Sequence, residues 1–340
     1  MRTGAATRRP MATLTGGPIE VRAAEPMDRT AVLELLRTSL GLSSDHVDAF
    51  FSWKHEANPF GASPSWVALD EGQVVGFRTF LRWEHRSSSG DVLRAVRAVD
   101  TATRPTHQGR GIFRRLTLQA LDDLREQGVV FVFNTPNDKS RPGYLKMGWS
   151  TVGRLATAAR VRSPASLARM IRARVPADTW SEATSGGLPA PDVLADPRLT
   201  ELLGSLPEPP RLHTNPTAAY LRWRYGFAPL AYRAVTLGDD VRGGLAVFRV
   251  RRRGPALECA LCDVLAPASD RTAGRALVQS VVRQCGADYV IRLAGTAVDR
   301  AGFVSLPRQG PVLTWYPLRP DAPGRALGDW TLALGDVELF

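Results

Sequence analysis

Lysine is almost missing from this 340-residue chain: of its 44 basic residues only Lys54, Lys139 and Lys146 are lysine, and the rest are arginine. With abundant Ala, Gly, Pro and Val, that bias reads as the imprint of a GC-rich genome before it reads as function. Cysteine is scarce as well, at three residues, which excludes a disulfide scaffold and points to a reducing, cytoplasmic setting. No run approaches the roughly 18 uninterrupted apolar residues that a bilayer span needs, so no membrane partner is expected. The five histidines show no metal-ligand spacing, and Cys259-x-x-Cys262 has no second pair nearby. Two buried thiols are expected there, and no metal.

What is present is the balance of a folded protein: 44% hydrophobic residues, 23% charged residues and a net charge of +11. Positive charge attracts anions. The arginines, however, are spread along the chain instead of clustering with aromatic platforms, so nucleic acid is not the expected partner. The length exceeds the ~250–300 residues that one core organises, and two domains are expected. Residues 1–18 show no periodicity and read as a disordered leader, with Met11 an alternative start. Arg8-Arg9 is followed by no apolar run, so the segment fails as an export signal.

Order begins at Ile19. Alternation predicts strands over 19–23, 66–70, 73–83 and 92–103, with Glu71-Gly72 as a hairpin turn. Helical spacing covers 29–40, roughly 45–55, and 112–127, the last stopped by Gly128. VVFVFN at 129–134 reads as a buried strand, followed by a short helix near 141–147 and a strand after Trp149. The order β-α-α-β-β-β-α-β-α-β predicts a mixed α/β domain over 19–162. Residues 163–212, rich in Pro, Ala, Gly and Ser, read as a linker or surface excursion. A second ordered region spans 213–340.

That second region repeats the first. FSWKHEANP and LRWRYGFAP align without gaps at an offset of 170, pairing Trp53 with Trp223, Lys54 with Arg224, His55 with Tyr225 and Pro59 with Pro229. Further on, Asp100 is echoed by Asp263, Gly128 by Gly286 and Gly148-Trp149 by Gly302-Phe303. The shared order predicts duplication, with Trp53 and Trp223 as packing anchors in each half.

The segment richest in chemistry is TRPTHQGRGIFRRL, residues 103–116. A strand runs into a turn holding Gly109 and Gly111, and a helix starts at once. Glycine lets backbone amides approach a ligand, and the first N–H groups of a helix lack intrahelical partners and carry the positive end of its dipole. Such a turn binds phosphate or diphosphate. Downstream, Asn137, Ser140, Tyr144 and Gly148-Trp149 have the spacing N-x-x-S-x-x-x-Y-x-x-x-G-W.

With both motifs in this order, residues 19–162 resemble the GNAT superfamily of acyl-CoA N-acyltransferases. The family's diphosphate loop, Q/R-x-x-G-x-G/A, is met by Gln108, Gly109, Arg110, Gly111, Ile112 and Phe113, with Phe113 where a small residue is usual. The family's N-x-x-A-x-x-x-Y-x-x-x-G-F is met by Asn137 through Trp149. Residues 266–274 carry no glycine turn, so the second half resembles a degenerate copy and one cofactor site is expected. The implied architecture is a tandem of GNAT-like domains.

The resemblance implies acetyl-CoA as acyl donor and the amine of a small molecule or amino sugar as acceptor. It places the thioester along Ala102–Thr103, where backbone amides polarise its carbonyl. Tyr144 is then the candidate acid for the leaving thiolate, a core tyrosine being the bland alternative. Asn137 and Ser140 serve either the cofactor or an ordinary turn. Asp100 is a candidate base, but its echo in Asp263, where the glycine turn is lost, favours a structural role. Glu84, His85 and a water relay are the other candidates, and His107 is read as a positioning residue. The abrupt run DWTLALGDVELF is expected to pack into the cleft between the halves, bringing Asp336 or Glu338 near the amine. Two other functions fit the pattern: a Fem-like aminoacyl transferase, which lacks an intact acyl-CoA loop, and a non-catalytic acyl-CoA-binding scaffold, which has no need of Tyr144.

Overall fold

The computed structural model describes residues 18–40, 46–294, 301–306 and 308–338. The leader expected at 1–18 lies outside this range, apart from Pro18. Two mixed sheets form the frame. The first runs β1 (Glu20–Ala23), β2 (Ser65–Asp70), β3 (Gln73–Arg86), β4 (Val92–Thr103), β5 (Phe131–Asn134), then β15 (Val312–Pro317) and β6 (Ser150–Arg154). The second runs β14 (Val304–Leu306), β7 (Thr157–Val161), β13 (Tyr289–Leu293), β12 (Ala256–Leu265), β11 (Leu245–Arg253), β10 (Arg233–Thr236) and β8 (Leu188–Pro189). A short β9 (His213–Thr214) pairs with the far end of β3.

The two strand orders match, and they reveal an exchange. In the first sheet β15, from the end of the chain, lies between β5 and β6. In the second, β7 lies between β13 and β14. Each sheet is therefore completed by a strand from the other half. The boundary expected at residue 162 does not follow the sheets: β7 leaves the first half and β15 returns to it.

Residues 163–212 are also more than a linker. They hold α5 (Pro164–Arg172), α6 (Ala190–Leu194) and α7 (Leu199–Gly204), and Ala190, Leu194, Leu199 and Leu202 are buried in the core shared by both halves. Prolines and glycines interrupt the segment, but these few apolar residues set its packing.

Two helices flank the first sheet on opposite faces. α1 (Arg29–Leu40) packs Val32, Leu35 and Leu36 against Val67, Val74 and Phe77. α3 (Ile112–Glu126) buries Ile112, Leu116, Ala120, Leu121 and Leu124 at helical spacing and stops at Gly128, whose φ is +74°. Gly76 on β3 brings α3 in close, since a Cβ there would stand 2.5 Å from Ile112 Cγ2. The second half repeats this with α9 (Ala273–Gln284), which buries Leu277, Val278 and Val281 against Ala246, Phe248 and Val250 of β11 and Leu261 of β12.

The halves meet at the repeated motif. α2 (Val47–Phe51) continues into a wide turn over Ser52–Glu56, and α8 (Ala218–Gly226) is its counterpart. Trp53 and Trp223 stack at 5.6 Å. Trp53 Nε1 donates to the Trp223 carbonyl (2.7 Å) and Trp223 Nε1 donates to the Trp53 carbonyl (2.6 Å), the reciprocity expected of a two-fold-like contact. The two anchors thus pack on each other and not in separate halves.

The chain's last described segment lies between the halves as a short helix, α10 (Leu334–Val337). Arg97 donates to the carbonyls of Asp336 and Val337, Arg224 donates to Gly335 O (2.9 Å), and Glu338 pairs with Arg249 (2.8 Å) and Arg251 (3.1 Å). Among the described residues, no helix is long and apolar enough to cross a membrane.

Because each indole both stacks on and hydrogen-bonds to the other's chain, the pair should act as a unit. Trp53→Phe and Trp223→Phe, alone and together, are expected to show a coupling energy of about 1 kcal/mol in denaturant unfolding. Strictly additive losses would mean that the contact joins nothing.

Candidate active site

β4 and β5 run parallel but pair only from Ala95 to Arg97 against Phe131 to Phe133, so their later residues splay apart. On β4 the pairing with β3 jumps from Thr101 opposite Arg78 to Val99 opposite Thr79, leaving Asp100 as a bulge with φ of +31°. A bulge takes a residue out of the ladder and frees its neighbourhood for a ligand. Ala102 and Thr103 continue from it toward the glycine turn.

In that turn Gly109 and Gly111 have φ of +79° and +75°, and α3 starts at Ile112. A Cβ at either glycine would meet nothing within 4 Å, so it is the left-handed backbone that calls for glycine, and the side facing outward is open. Arg110 does not reach outward: its Nη1 lies 2.8 Å from Asp70 Oδ2, and His107 Nε2 lies 3.0 Å from the same oxygen. Arg110 first and His107 second hold the Asp70 carboxyl below its ordinary range. Together they fasten the turn to the end of β2. Gln108 Nε2 donates to the Thr103 carbonyl (3.3 Å).

Tyr144 sits on α4 (Arg141–Lys146), 3% exposed, with its ring 5.5 Å from Phe113 and 5.1 Å from Trp149. Phe113, the departure from the family pattern, fits because Gly143 opposite it has no Cβ, which would otherwise stand 3.2 Å from the Phe113 ring. Asn137 Oδ1 accepts from the amides of Lys139 (3.1 Å) and Ser140 (2.9 Å) and from Ser140 Oγ (3.1 Å). Asn137 and Ser140 therefore build the turn that launches α4 and aims Tyr144.

The acid–base candidates separate clearly. Asp100 lies 2.8 Å from Lys54 Nζ and 2.8 Å from His55 Nε2, while His55 Nδ1 lies 3.0 Å from Ser63 Oγ. Burial pushes the Asp100 carboxyl up, but Lys54 and His55 outweigh it and hold the group well below its usual range. The carboxylate is thus engaged by both side chains and held ionised. Glu84 stands far from the glycine turn: it pairs with Arg94, whereas Ala102 and Thr103 pair with Phe77 and Gly76. Those sites are roughly 25 Å apart along β3 at about 3.3 Å per residue. Glu84 instead accepts from Asn215 Nδ2 (3.0 Å), fastening β3 to the segment after β9. His85 is fully buried among Phe131, Phe133 and Trp330, and burial pushes it down to about 3. A ring kept neutral in that apolar setting, beyond Glu84 on the strand, is core.

Three participants escaped the sequence reading. Lys54 and His55 were visible only as half of the repeat. Arg78 interrupts the apolar run VVGFRTF, a signal that a buried strand had taken in a charge. Among the described residues no group of three or more His, Cys, Asp or Glu side chains is arranged to hold a metal ion. Cys259, Cys262 and Cys285 are free and buried.

Among the described residues, the segment leading into α9 offers no equivalent turn. Asp270 Oδ1 accepts from Thr272 N (2.8 Å), Thr272 Oγ1 (2.7 Å) and Ala273 N (3.2 Å), so the start of α9 is already capped by a carboxylate.

The family model of the acetyltransferase (GNAT) domain matches residues 20–152. Residues 20–152 thus carry a GNAT domain. The whole architecture is similar to a GCN5-related N-acetyltransferase from Anabaena variabilis, at 12% identity and a TM-score of 0.61, covering 89% of this chain and 73% of that one. Eis1 from Mycobacterium abscessus is similar at 16% identity and a TM-score of 0.55, covering 87% and 73%. A GCN5-related N-acetyltransferase from Kribbella flavida has 15% identity and a TM-score of 0.57, covering 89% and 71%. At such identities these share the fold. No curated protein matches the sequence.

Where the GNAT domain keeps Asp100 charged, the second half does the reverse. Burial first, then the nearby Asp336, pushes Asp263 up to about 7. With its folded value above its unfolded one, native protein holds this proton through roughly pH 4 to 7 and loses stability as pH rises through that window. Asp263→Asn, which cannot ionise, is therefore expected to gain about 2 kcal/mol over wild type between pH 5 and pH 8 in parallel unfolding curves. An offset independent of pH would overturn the assignment.

Proposed function

We propose that this protein transfers an acetyl group, or another acyl group, from coenzyme A to the amine of a small molecule or amino sugar, with both substrates held together in the GNAT domain. The reading is carried by one observation: a turn with two left-handed glycines opens the 15-residue α3 outward, with Tyr144 packed behind its first turn. Acetyl-CoA brings an activated carbonyl carbon, and transfer exchanges its C–S bond for a C–N bond to the acceptor. The amides of residues 108–113 fit a diphosphate, since they combine unpaired helix donors with the positive end of the dipole. The bulge at Asp100 offers main-chain donors beside Ala102 and Thr103 to the carbonyl oxygen. Tyr144 gives its proton to the departing sulfur. Asp100, paired with Lys54 and His55, holds the bulge in shape. The carboxylate over the start of α9 supports a single cofactor site, because it stands where a diphosphate would be repelled.

Three measurements test this. Coenzyme A at about 100 times its Kd should add roughly 2.7 kcal/mol to native stability, read as a thermal shift. Gly111→Ala, which forces alanine to a φ of +75°, should cost only about 1–2 kcal/mol of stability but weaken coenzyme A at least tenfold. Tyr144→Phe should lower kcat by about 10²- to 10⁴-fold with coenzyme A affinity retained. Native protein giving no calorimetric response to any pantetheine nucleotide would end the proposal.

A further inference from the structure

One side-chain array in the first half has no part in the proposed transfer beyond its carboxylate. His55 is bonded at both ring nitrogens: Nε2 lies 2.8 Å from Asp100 Oδ2, and Nδ1 lies 3.0 Å from Ser63 Oγ. Asp100 is held ionised and can only accept, so Nε2 carries the ring proton and Nδ1 accepts from the Ser63 hydroxyl. His55 is 3% exposed, and burial, the largest influence on it, lowers it and keeps the ring neutral at pH 7. A hydroxyl bonded to a neutral imidazole that a carboxylate orients is the arrangement of an activated nucleophile. That hydroxyl makes no other bond among the described residues. The serine's main chain is tied on both sides, its amide donating to the His55 carbonyl (2.8 Å) and its carbonyl accepting from Ser65 Oγ (3.2 Å). The fold alone does not call for this array. In the second half Tyr225 stands in place of His55 and donates directly to Asp263.

Ser63 and His55 also line an open cavity of about 810 Å³ between the start of β2, the wide turn over 52–56 and the end of α3. Phe51, Trp66 and Phe77 give it apolar walls. The carboxylates of Glu25, Glu56, Asp123 and Glu126 in its lining outnumber the guanidinium of Arg29. Such a cavity admits a neutral or cationic molecule with an apolar acyl group and repels the phosphates of an acyl-CoA. We propose that Ser63, His55 and Asp100 form a second catalytic site, which hydrolyses carboxylic esters of uncharged or cationic alcohols. Ser63 Oγ attacks the ester carbonyl carbon as its proton passes to His55 Nδ1. The C–O bond to the alcohol then breaks, and the same proton goes to the leaving oxygen. Water gives a proton to Nδ1 and attacks the acyl-Ser63 carbon; the bond to Oγ breaks, Oγ takes the proton back, and the acid departs. Ester and water thus become acid and alcohol with no further reactant. Asp100 steadies the transient imidazolium, and Lys54 Nζ, 2.8 Å from the same Oδ2, fixes the carboxylate in place. This activity is independent of the reading of the glycine turn and Tyr144.

The test uses the full chain without coenzyme A. An uncharged alkyl fluorophosphonate, which loses fluoride to an activated serine, should leave its phosphonyl group on Ser63 in native protein and not in urea-unfolded protein, read by mass spectrometry of the digest. A merely structural serine would give no such adduct. p-Nitrophenyl acetate should be hydrolysed, with kcat/KM lowered at least roughly 100-fold in Ser63→Ala. Acetyl-CoA offered in the same assay should show no hydrolysis that depends on Ser63. A native chain without the Ser63 adduct, or undiminished ester hydrolysis in Ser63→Ala, overturns the proposal; acetyl-CoA hydrolysis lost in Ser63→Ala overturns its substrate class. Should Ser63→Ala not fold, the adduct on the native wild-type chain decides alone. Failure to bind coenzyme A would strike the acyl-transfer reading instead and leave these outcomes unaffected.

Discussion

The exchange of β7 and β15 is the constraint on which the rest of the structure depends. A strand in the middle of a sheet satisfies its neighbours on both sides, so neither half can complete its hydrogen-bond ladder without the other. β15 bonds to β5 and β6, and Thr314 Oγ1 reaches Asn134 Oδ1 at 2.5 Å at the very end of β5, where the splay begins. The geometry of the split between β4 and β5 is thus set partly by residues 180 positions away in sequence. The shared core, from Trp83 and Phe133 on one side to Tyr220 and Tyr232 on the other, then makes the two sheets a single cooperative body.

Within that body the duplicated parts have diverged in charge more than in shape. At one glycine-flanked helix the N-terminal donors are left open; at its counterpart Asp270 occupies them. Asp100 faces Lys54 and a histidine and stays ionised, while Asp263 faces Tyr225, whose hydroxyl donates to it, and holds its proton near neutrality. Burial and the nearby Asp336 raise Asp263, and in place of Lys54-His55 it has Arg224-Tyr225, where Arg224 turns its guanidinium to the carbonyl of Gly335 and to Tyr232. One scaffold thereby carries one half whose helix donors are open and one half whose donors are capped.

Much of this was legible in the residues, and the failures have physical causes. α1 and β4 fall on the ranges that periodicity predicts, 29–40 and 92–103, because each buries one clean face. The glycine turn and Tyr144 were found because left-handed backbone and fixed spacing leave marks in sequence. The separation of Glu84 from the glycine turn was not legible, because a strand's pattern gives a residue's face but not its distance along the strand from another element. The exchange of strands was invisible: TAARV at 157–161 is a good strand in either sheet, and only the competition between two edges decides which one it joins. Asn137 and Ser140 kept their motif positions, but their side chains are spent on the turn, which positions Tyr144 through the backbone.

Removal of the amine's proton is left without a dedicated side chain among the described residues, and the energetics do not require one. An amine with the acidity of lysine, near ~10.4, is neutral in about one molecule per few thousand at pH 7, a penalty of roughly 4–5 kcal/mol. Holding nucleophile and carbonyl in one cleft is worth about 7–11 kcal/mol in favourable cases. Orientation therefore outweighs the deprotonation deficit: the acceptor attacks as the neutral amine, and the N–H proton it gives up as the amide forms passes to water. What the site cannot do without is a way to let the thiolate leave. Tyr144, the acid of the proposed transfer, is packed against Phe113 in the first turn of α3, next to the glycine turn.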